Sequence, residues 1–286
     1  MPGARCRFNL SFALARDARW APRGHKVAWA QFALPGAVPP RAVPLPALPP
    51  RAVRDGDRQV LVEGEHFRLI LDKWQGAIGD WTYHGLPLLT AGPCLYLWRA
   101  PTDNDVHIAR EWRRFGPDRL QHRLPGRFDR FAWYGRGPHE SYVDKKESAR
   151  FGIYQGMVAE QYVPYIMPQE HGNKSDVFWA AITDARGRGL LALGQPNLNV
   201  SALPYTPEEL TRARHTFELV PTGETVVHLD HAHTGLGSNS CGPGPLAQYL
   251  LKPLETESAL RLRPVSLELE SPIHLAREAP APMPAQ

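Results

Sequence analysis

Cysteine is scarce in this chain: Cys6, Cys94 and Cys241 are the three among 286 residues, and they lie far apart. An odd, scattered set supplies neither a disulfide framework nor the close cysteine pairs of a zinc ribbon. A reducing, cytoplasmic compartment is therefore expected. Long apolar runs are missing too, and no stretch approaches the roughly 18 apolar residues of a membrane span. Neither charge sign dominates: 33 Lys and Arg against 29 Asp and Glu leave +4, spread along the chain without a basic stripe or an acidic tail. That balance argues against nucleic acid as a partner. The phosphate loop GxxxxGK[ST], the nucleophile elbow GxSxG and the zinc motif HExxH do not occur, so none of those chemistries has its usual sequence support.

Turn formers are abundant instead, with 24 Gly and 29 Pro. This exceeds average usage without reaching the share of disordered chains, and it predicts many turns in an all-β protein. Phe8, Leu10, Phe12 and Leu14 alternate with Asn9, Ser11 and Ala13. Arg5, Arg7 and the Ala13-Leu14-Ala15 string resemble a signal peptide, but period two belongs to a strand. A second strand is expected over Lys26 to Leu34. Seven prolines between Pro35 and Pro50 remove backbone donors and mark a semi-rigid linker. Short strands then follow at turn-punctuated intervals: Phe67, Leu69 and Leu71; Phe178, Ala180 and Ile182; Phe217 and Leu219; Val227 and Leu229; Val265, Leu267 and Leu269. This spacing is that of a β-sandwich, each apolar face needing an opposing sheet. One helix-like stretch, Val106 to Phe115, has Asp103 and Asp105 available as caps. The expected organisation is 1–34 as strands of a first domain, 35–55 as linker, 56–275 as the main sandwich and 276–286 as a disordered Pro/Ala-rich tail.

Polar clusters are few. In His228-Leu-Asp-His231-Ala-His233, an extended backbone puts His231 and His233 on one face and His228 and Asp230 on the other. At most two side chains then meet one metal, and hydrogen-bonded histidines lining a groove are the plainer reading. Glu140, Glu147 and Glu170 are carboxylates to weigh for glycoside chemistry, although spacing in sequence cannot pair them. Eight tryptophans suit sugar stacking or, more plainly, core packing. Gly135-Arg-Gly137-Pro138 reads as a turn rather than a dinucleotide fingerprint, because a proline follows the second glycine and no helix does.

Four strings, in this order, resemble the C-terminal part of glycoside hydrolase family 2 β-galactosidases. They are Trp98-Arg-Ala-Pro-Thr-Asp-Asn-Asp105; Trp133-Tyr-Gly-Arg-Gly-Pro-His-Glu-Ser-Tyr142 with Asp144-Lys145; Pro164-Tyr-Ile-Met-Pro-Gln-Glu-His-Gly-Asn173; and Gly235-Leu-Gly-Ser-Asn-Ser-Cys-Gly-Pro243. Trp20 to Phe32 is similar to the closing strands of the immunoglobulin-like domain ahead of that part. The resemblance implies an incomplete supersandwich of galactose mutarotase-like fold, preceded by immunoglobulin-like strands. It marks Trp98, Arg99, Asp103, Asp105, Gly135, Gly137, Glu140, Tyr142 and Asp144 as motif residues of structural importance. Glu170, His171, Asn239 and Cys241 are its candidates for lining a galactoside site. Cys241 stands where some members carry a tryptophan platform, and a thiol cannot stack on a sugar face.

In the family both catalytic glutamates, and the magnesium and sodium sites, lie in a (β/α)₈ barrel. Such a barrel takes roughly 250 residues and eight helices, and nothing here matches it, so no catalytic residue, metal site or cofactor is expected in this chain. The expected partners are a barrel-bearing β-galactosidase chain and a galactoside sugar; a membrane is not among them. The reading is a non-catalytic C-terminal portion or small subunit of a β-galactosidase. The alternatives are a stand-alone mutarotase-like epimerase or carbohydrate binder, and an inactive gene remnant. One departure bears on folding: near 123–124 family members usually carry several further strands, and here the two flanks abut. Loss of those strands bares sheet edges and apolar faces. Made alone, the chain is expected to be insoluble or oligomeric; a cooperative melt of a monomer in sedimentation-checked samples would contradict the missing block.

Overall fold

A computed structural model describes residues 5–35, 41–43, 51–92, 99–105, 123–237, 241–252 and 258–280. The described strands are β1 (Arg7–Ala13), β2 (Lys26–Ala33), β3 (Arg41–Val43), β4 (Ala52–Asp55), β5 (Gln59–Glu63), β6 (Phe67–Asp72), β7 (Ala77–Tyr83) and β8 (Leu86–Pro87). They continue with β9 (Arg123–Pro125), β10 (Arg130–Gly137), β11 (Arg150–Met157), β12 (Lys174–Thr183), β13 (Arg188–Leu203), β14 (Glu224–Asp230), β15 (Ala259–Ser266) and β16 (Glu278–Pro280). The all-β expectation is met. The chain divides into two units, residues 1–46 with 273–286 and residues 47–272.

In the first unit β1 and β2 pair antiparallel, Phe8 opposite Phe32, Leu10 opposite Ala30 and Phe12 opposite Ala28. The loop between them is pinned by Leu14 N–H to His25 O (2.9 Å) and Gly24 N–H to Leu14 O (2.9 Å). The alternation in the sequence thus becomes a ribbon with one apolar face. The proline-rich stretch contributes β3 and the Pro/Ala-rich tail contributes β16, and these two pair in parallel over three residues. Each strand satisfies backbone groups of the other, which gives order to two segments whose composition suggests none.

The second unit is a sandwich of two antiparallel sheets. One is the meander β4-β5-β6-β7-β8; the other has the order β11-β10-β12-β13-β14-β9, with β15 also paired to β13. β13 is sixteen residues long because its first half pairs β15 and its last residues pair β14. Between the sheets, Trp81 of the meander and Leu88 just past β8 meet Phe131, Trp133, Val177, Ile182 and Val200 of the larger sheet and Phe128 in the turn before β10. Phe131 and Trp133 stack at 4.7 Å. Alternation along β10 selects these residues, with 131, 133 and 135 on the inner face.

Two strand expectations are corrected, and within β6, which forms as expected, one residue leaves its face. Phe217 and Leu219 do not form a strand: Thr216–Glu218 is a 3₁₀ turn with Phe217 82% exposed, because Glu218 accepts from Arg214 N–H (3.0 Å) and closes the chain locally. β15 ends at Ser266, and Glu270 N–H bonding Ser266 O (2.9 Å) turns the chain away before Leu269. Leu71 leaves the alternation of Phe67 and Leu69 because the β6–β7 register shifts between Ile70 and Leu71. The helix-like stretch Val106 to Phe115 lies outside the described residues.

Gly135 shows why its motif needs glycine, since a Cβ there would stand 2.8 Å from Val177 Cα on β12. Gly135→Ala is expected to cost about 1–3 kcal/mol, read as a lower urea midpoint at unchanged m-value.

Candidate functional site

The sheet register sets β10, β12, β13 and β14 side by side, with Lys174 opposite Val200 and Val200 opposite Leu229. The loops after β10 and β14 and the loop before β12 therefore emerge near one another, and residues 99–105 join them. These are the four motif segments, and each is tied to another by side chains that satisfy loop backbone. Asp103 N–H donates to Gln169 Oε1 (3.1 Å). Asn104 Nδ2 donates to Gly237 O (2.8 Å), while Gly237 N–H donates to Asp144 Oδ2 (2.7 Å). Glu140 Oε2 accepts from Gly172 N–H (2.8 Å). Ser141 and Asn173 exchange backbone and side-chain bonds, Ser141 N–H to Asn173 O (2.8 Å) and Asn173 Nδ2 to Ser141 O (2.7 Å).

Arg99 and Asp105 form a bidentate pair, Nη1 to Oδ2 at 2.5 Å and Nη2 to Oδ1 at 3.0 Å. Thr102 adds its N–H (2.7 Å) and hydroxyl (3.0 Å) to Asp105 Oδ2. Asp105 is thus held within this turn by Arg99 and Thr102. Glu140 is saturated as well, by Lys145 Nζ (2.7 Å), the Tyr165 hydroxyl and Gly172. Burial opposes its ionisation, but these three donors hold its carboxyl below the usual range. A carboxylate so committed is a structural knot, ill suited to proton transfer.

Glu170 behaves differently. It is buried and accepts one bond, from the Tyr142 hydroxyl at 3.2 Å. Burial raises its pKa to about 8; the positive charge of Arg99 opposes the shift, and Asp230 and Glu140 add to it. Asp230, at the end of β14, is pushed up to about 7 by its enclosure. At neutral pH Glu170 therefore largely keeps its proton, and Asp230 is near its midpoint. His233 packs edge-on to Tyr142 at 5.2 Å. Its Nδ1 faces Thr234 O at 2.7 Å and its buried Nε2 has no partner; burial, then the Arg99 charge, lowers its pKa to about 4. His171 is likewise buried, with Nδ1 2.8 Å from Gln169 O and Nε2 unpartnered. Lys174 is 2% exposed, rests 5.1 Å from the Trp133 ring, and burial lowers it to about 8.

Of the residues marked in the sequence, Arg99, Asp103, Asp105, Glu140, Tyr142, Asp144, Glu170, His171 and His233 converge. Gly135 and Gly137 lie on β10 beneath them. Trp98 and Asn239 lie outside the described residues. Cys241 is exposed with a free thiol. Glu147 points outward, its side chain 85% exposed and paired to Arg136. Asp230 and Lys174 were not singled out by sequence as site residues. Asp230 was visible only in the histidine-rich run, and Lys174 only as the residue after Asn173. Among the described residues no three His, Cys, Asp or Glu side chains form a metal-ligating group, and no helix is long and apolar enough to cross a membrane. Beside the cluster a shallow cleft of about 520 Å³ is lined by residues including Asp144, Lys146, Gln248 and Tyr249.

Comparison with known proteins adds two kinds of finding. A family described as "Beta galactosidase small chain" matches residues 63–123 and 119–262, and one described as "Beta-galactosidase, domain 4" matches residues 2–35. A β-galactosidase of Priestia megaterium is 31% identical over 298 residues, covering 81% of this chain and 28% of its own length. A β-galactosidase of Kluyveromyces lactis is 28% identical, covering 84% of this chain and 30% of its own. One from Lactobacillus delbrueckii subsp. bulgaricus is 40% identical over 116 residues. The chain thus spans less than a third of the length of the first two relatives.

The perturbed groups fix how stability should vary with pH. Glu170 and Asp230, raised above their usual carboxylate values, contribute stability that is complete in acid and lost as pH climbs through about 7 and 8. His233, lowered, contributes stability present above 6.5 and lost as pH falls toward 4. Lys174, also lowered, contributes only above about 8, where its folded and unfolded charges diverge. Between pH 6.5 and 8 the carboxyls act alone. The melting temperature is expected to fall across that window and to fall less in Glu170→Gln, as followed by differential scanning fluorimetry; a rise would contradict the assignment.

Proposed function

The chain belongs to the β-galactosidase small-chain family, and from that premise we propose that it is a non-catalytic portion of a β-galactosidase that closes one side of a galactoside site. The convergence of the four motif segments carries the reading. They form a cluster rich in hydrogen-bonding groups, yet its carboxylates are either saturated, as Glu140 is, or held protonated by burial, as Glu170 is. A retaining glycosidase needs two carboxyls about 5–5.5 Å apart, one of them an ionised nucleophile. In this reading those carboxyls, with the magnesium and sodium sites, belong to a barrel on a partner region, and this chain supplies Glu170, His171, Asn239 and Cys241 toward the sugar. For Glu170 that task is to position its loop, since its buried carboxyl is held by the Tyr142 hydroxyl.

The same reading places the protein in the cytoplasm, in keeping with exposed free thiols at Cys6 and Cys241. It also holds that several strands are missing near 123–124. The small-chain match falls in two segments meeting at 119–123, and the Priestia megaterium alignment is longer than the part of this chain it covers. The purified chain is expected not to cleave a chromogenic β-galactoside and to gain that activity on addition of a barrel-bearing β-galactosidase fragment. Turnover by the lone chain would refute the assignment, and mutarotation of fresh α-galactose, followed by polarimetry, would replace it with an epimerase.

A further inference from the structure

The outermost strand of a sheet presents backbone groups without a ladder partner, and such an edge pairs with another chain unless something blunts it. Among the described residues of the second unit, the strands paired to one other strand are β4 and β8 of the meander and β11, β9 and β15 of the larger sheet. All but β11 are blunted. β4 has four residues with the charges of Arg54 and Asp55, β8 has two with Pro87, β9 has three with Pro125, and β15 carries Arg261, Arg263 and Pro264. β11 runs for eight residues, Arg150-Phe-Gly-Ile-Tyr-Gln-Gly-Met157, without a proline and with its one charge at the first position. Its register against β10 is unbroken from Arg150 to Met157, so no bulge twists this edge away.

The end of the strand fixes which backbone groups face outward. Val158 N–H donates to Asp129 O (2.8 Å), so even-numbered residues of β11 direct N–H and C=O toward β10 and odd-numbered ones direct theirs away from it. Met157 N–H agrees, since it bonds Glu160 Oε2 (2.7 Å) rather than β10. Ile153 and Gln155 thus offer their backbone at the edge, and the Ile153 side chain lies beside it, 56% exposed. We infer that β11 pairs antiparallel with β11 of a second copy of this chain, about a two-fold axis at Ile153, joining two larger sheets into one. Two features select this occupant and this register. Ile153 stands opposite Ile153 of the copy, so an exposed apolar side chain gains a cross-strand apolar neighbour. Arg150 and Gly156 are equally far from the axis, so Arg150 stands opposite Gly156 of the copy, on the face where a Cβ at Gly156 would lie 2.9 Å from Glu160 Oε2. Opposite charges meet at both ends, whereas an in-register parallel pairing sets Arg150 beside Arg150. The two-fold closes on itself and leaves no β11 edge for a third chain. This pairing needs no barrel-bearing partner.

The test uses the full chain. Sedimentation over rising concentration is expected to show monomer and dimer, and Ile153→Lys, a change at an exposed position outside the core, is expected to weaken the dimer roughly tenfold or more. Circular dichroism matching the parent shows that the variant is folded. Independently, in a Cys6→Ser, Cys94→Ser, Cys241→Ser background, Ile153→Cys is expected to bridge to itself on air oxidation. Directly opposed residues of an antiparallel hydrogen-bonded pair have Cα atoms about 5.5 Å apart, within disulfide reach. Gln155→Cys, on the same face, is expected not to bridge, because its counterpart lies four residues, roughly 14 Å, along the strand. Peptide mapping by mass spectrometry locates the bridge. A monomer at every concentration at which the chain stays soluble would overturn the pairing and leave the edge to a strand of another protein. A dimer or aggregate equally stable in Ile153→Lys, or a bridge at position 155 and none at 153, would overturn it as well.

Discussion

Backbone groups that leave a sheet lose their ladder partners, and burying them unsatisfied costs about as much as a lost hydrogen bond each. Four loop segments of this chain meet in a buried region under that constraint. Their solution is reciprocal: a side chain of one segment satisfies the backbone of another. Asp144 and Asn104 take the N–H and the carbonyl of Gly237, Glu140 takes the N–H of Gly172, and Gln169 takes that of Asp103. Each segment is braced by another, and residues over 130 positions apart are joined. The Arg99–Asp105 pair anchors the cluster; a buried bidentate pair of this kind is worth little in net stability but strongly resists loss of one partner.

That bracing also explains how two glutamates in one cluster differ so much. Glu140 meets an ammonium, a phenol and a backbone N–H, and stays ionised. Glu170 meets one phenol in a region from which water is largely excluded, and keeps its proton. Placement, not residue type, decides which of the two is charged. A cluster of this kind shapes and orients; it does not supply the paired, differently tuned carboxyls of glycoside cleavage.

Much of the architecture was legible in the residues. Alternation marked β1, β2, β6, β12 and β14, and the turn at Asp184–Gly189 was visible in its Asp and Gly content. The failures have local causes. Phe217 and Leu219 alternate, yet a nearby glutamate closes a 3₁₀ turn, and a register shift in β6 turns Leu71 outward. The pairing of β3 with β16 joins two proline-rich stretches distant in sequence, and composition carries no trace of such a partnership.

The candidate site was legible as four strings but not as one place. Family motifs named Arg99, Glu140, Tyr142, Asp144 and Glu170; they did not reveal that Asp230 and Lys174 join them, because neither belongs to a motif and both are brought in by sheet register. The sequence by itself determined the strand pattern, the apolar side of the ribbon and the absence of barrel-sized helical repeats, since these depend on period and composition along the chain. Only the tertiary structure decided which carboxyls are charged, which histidines are sealed from solvent and which loops brace one another. Those properties depend on distance and burial in three dimensions, and no linear spacing encodes them.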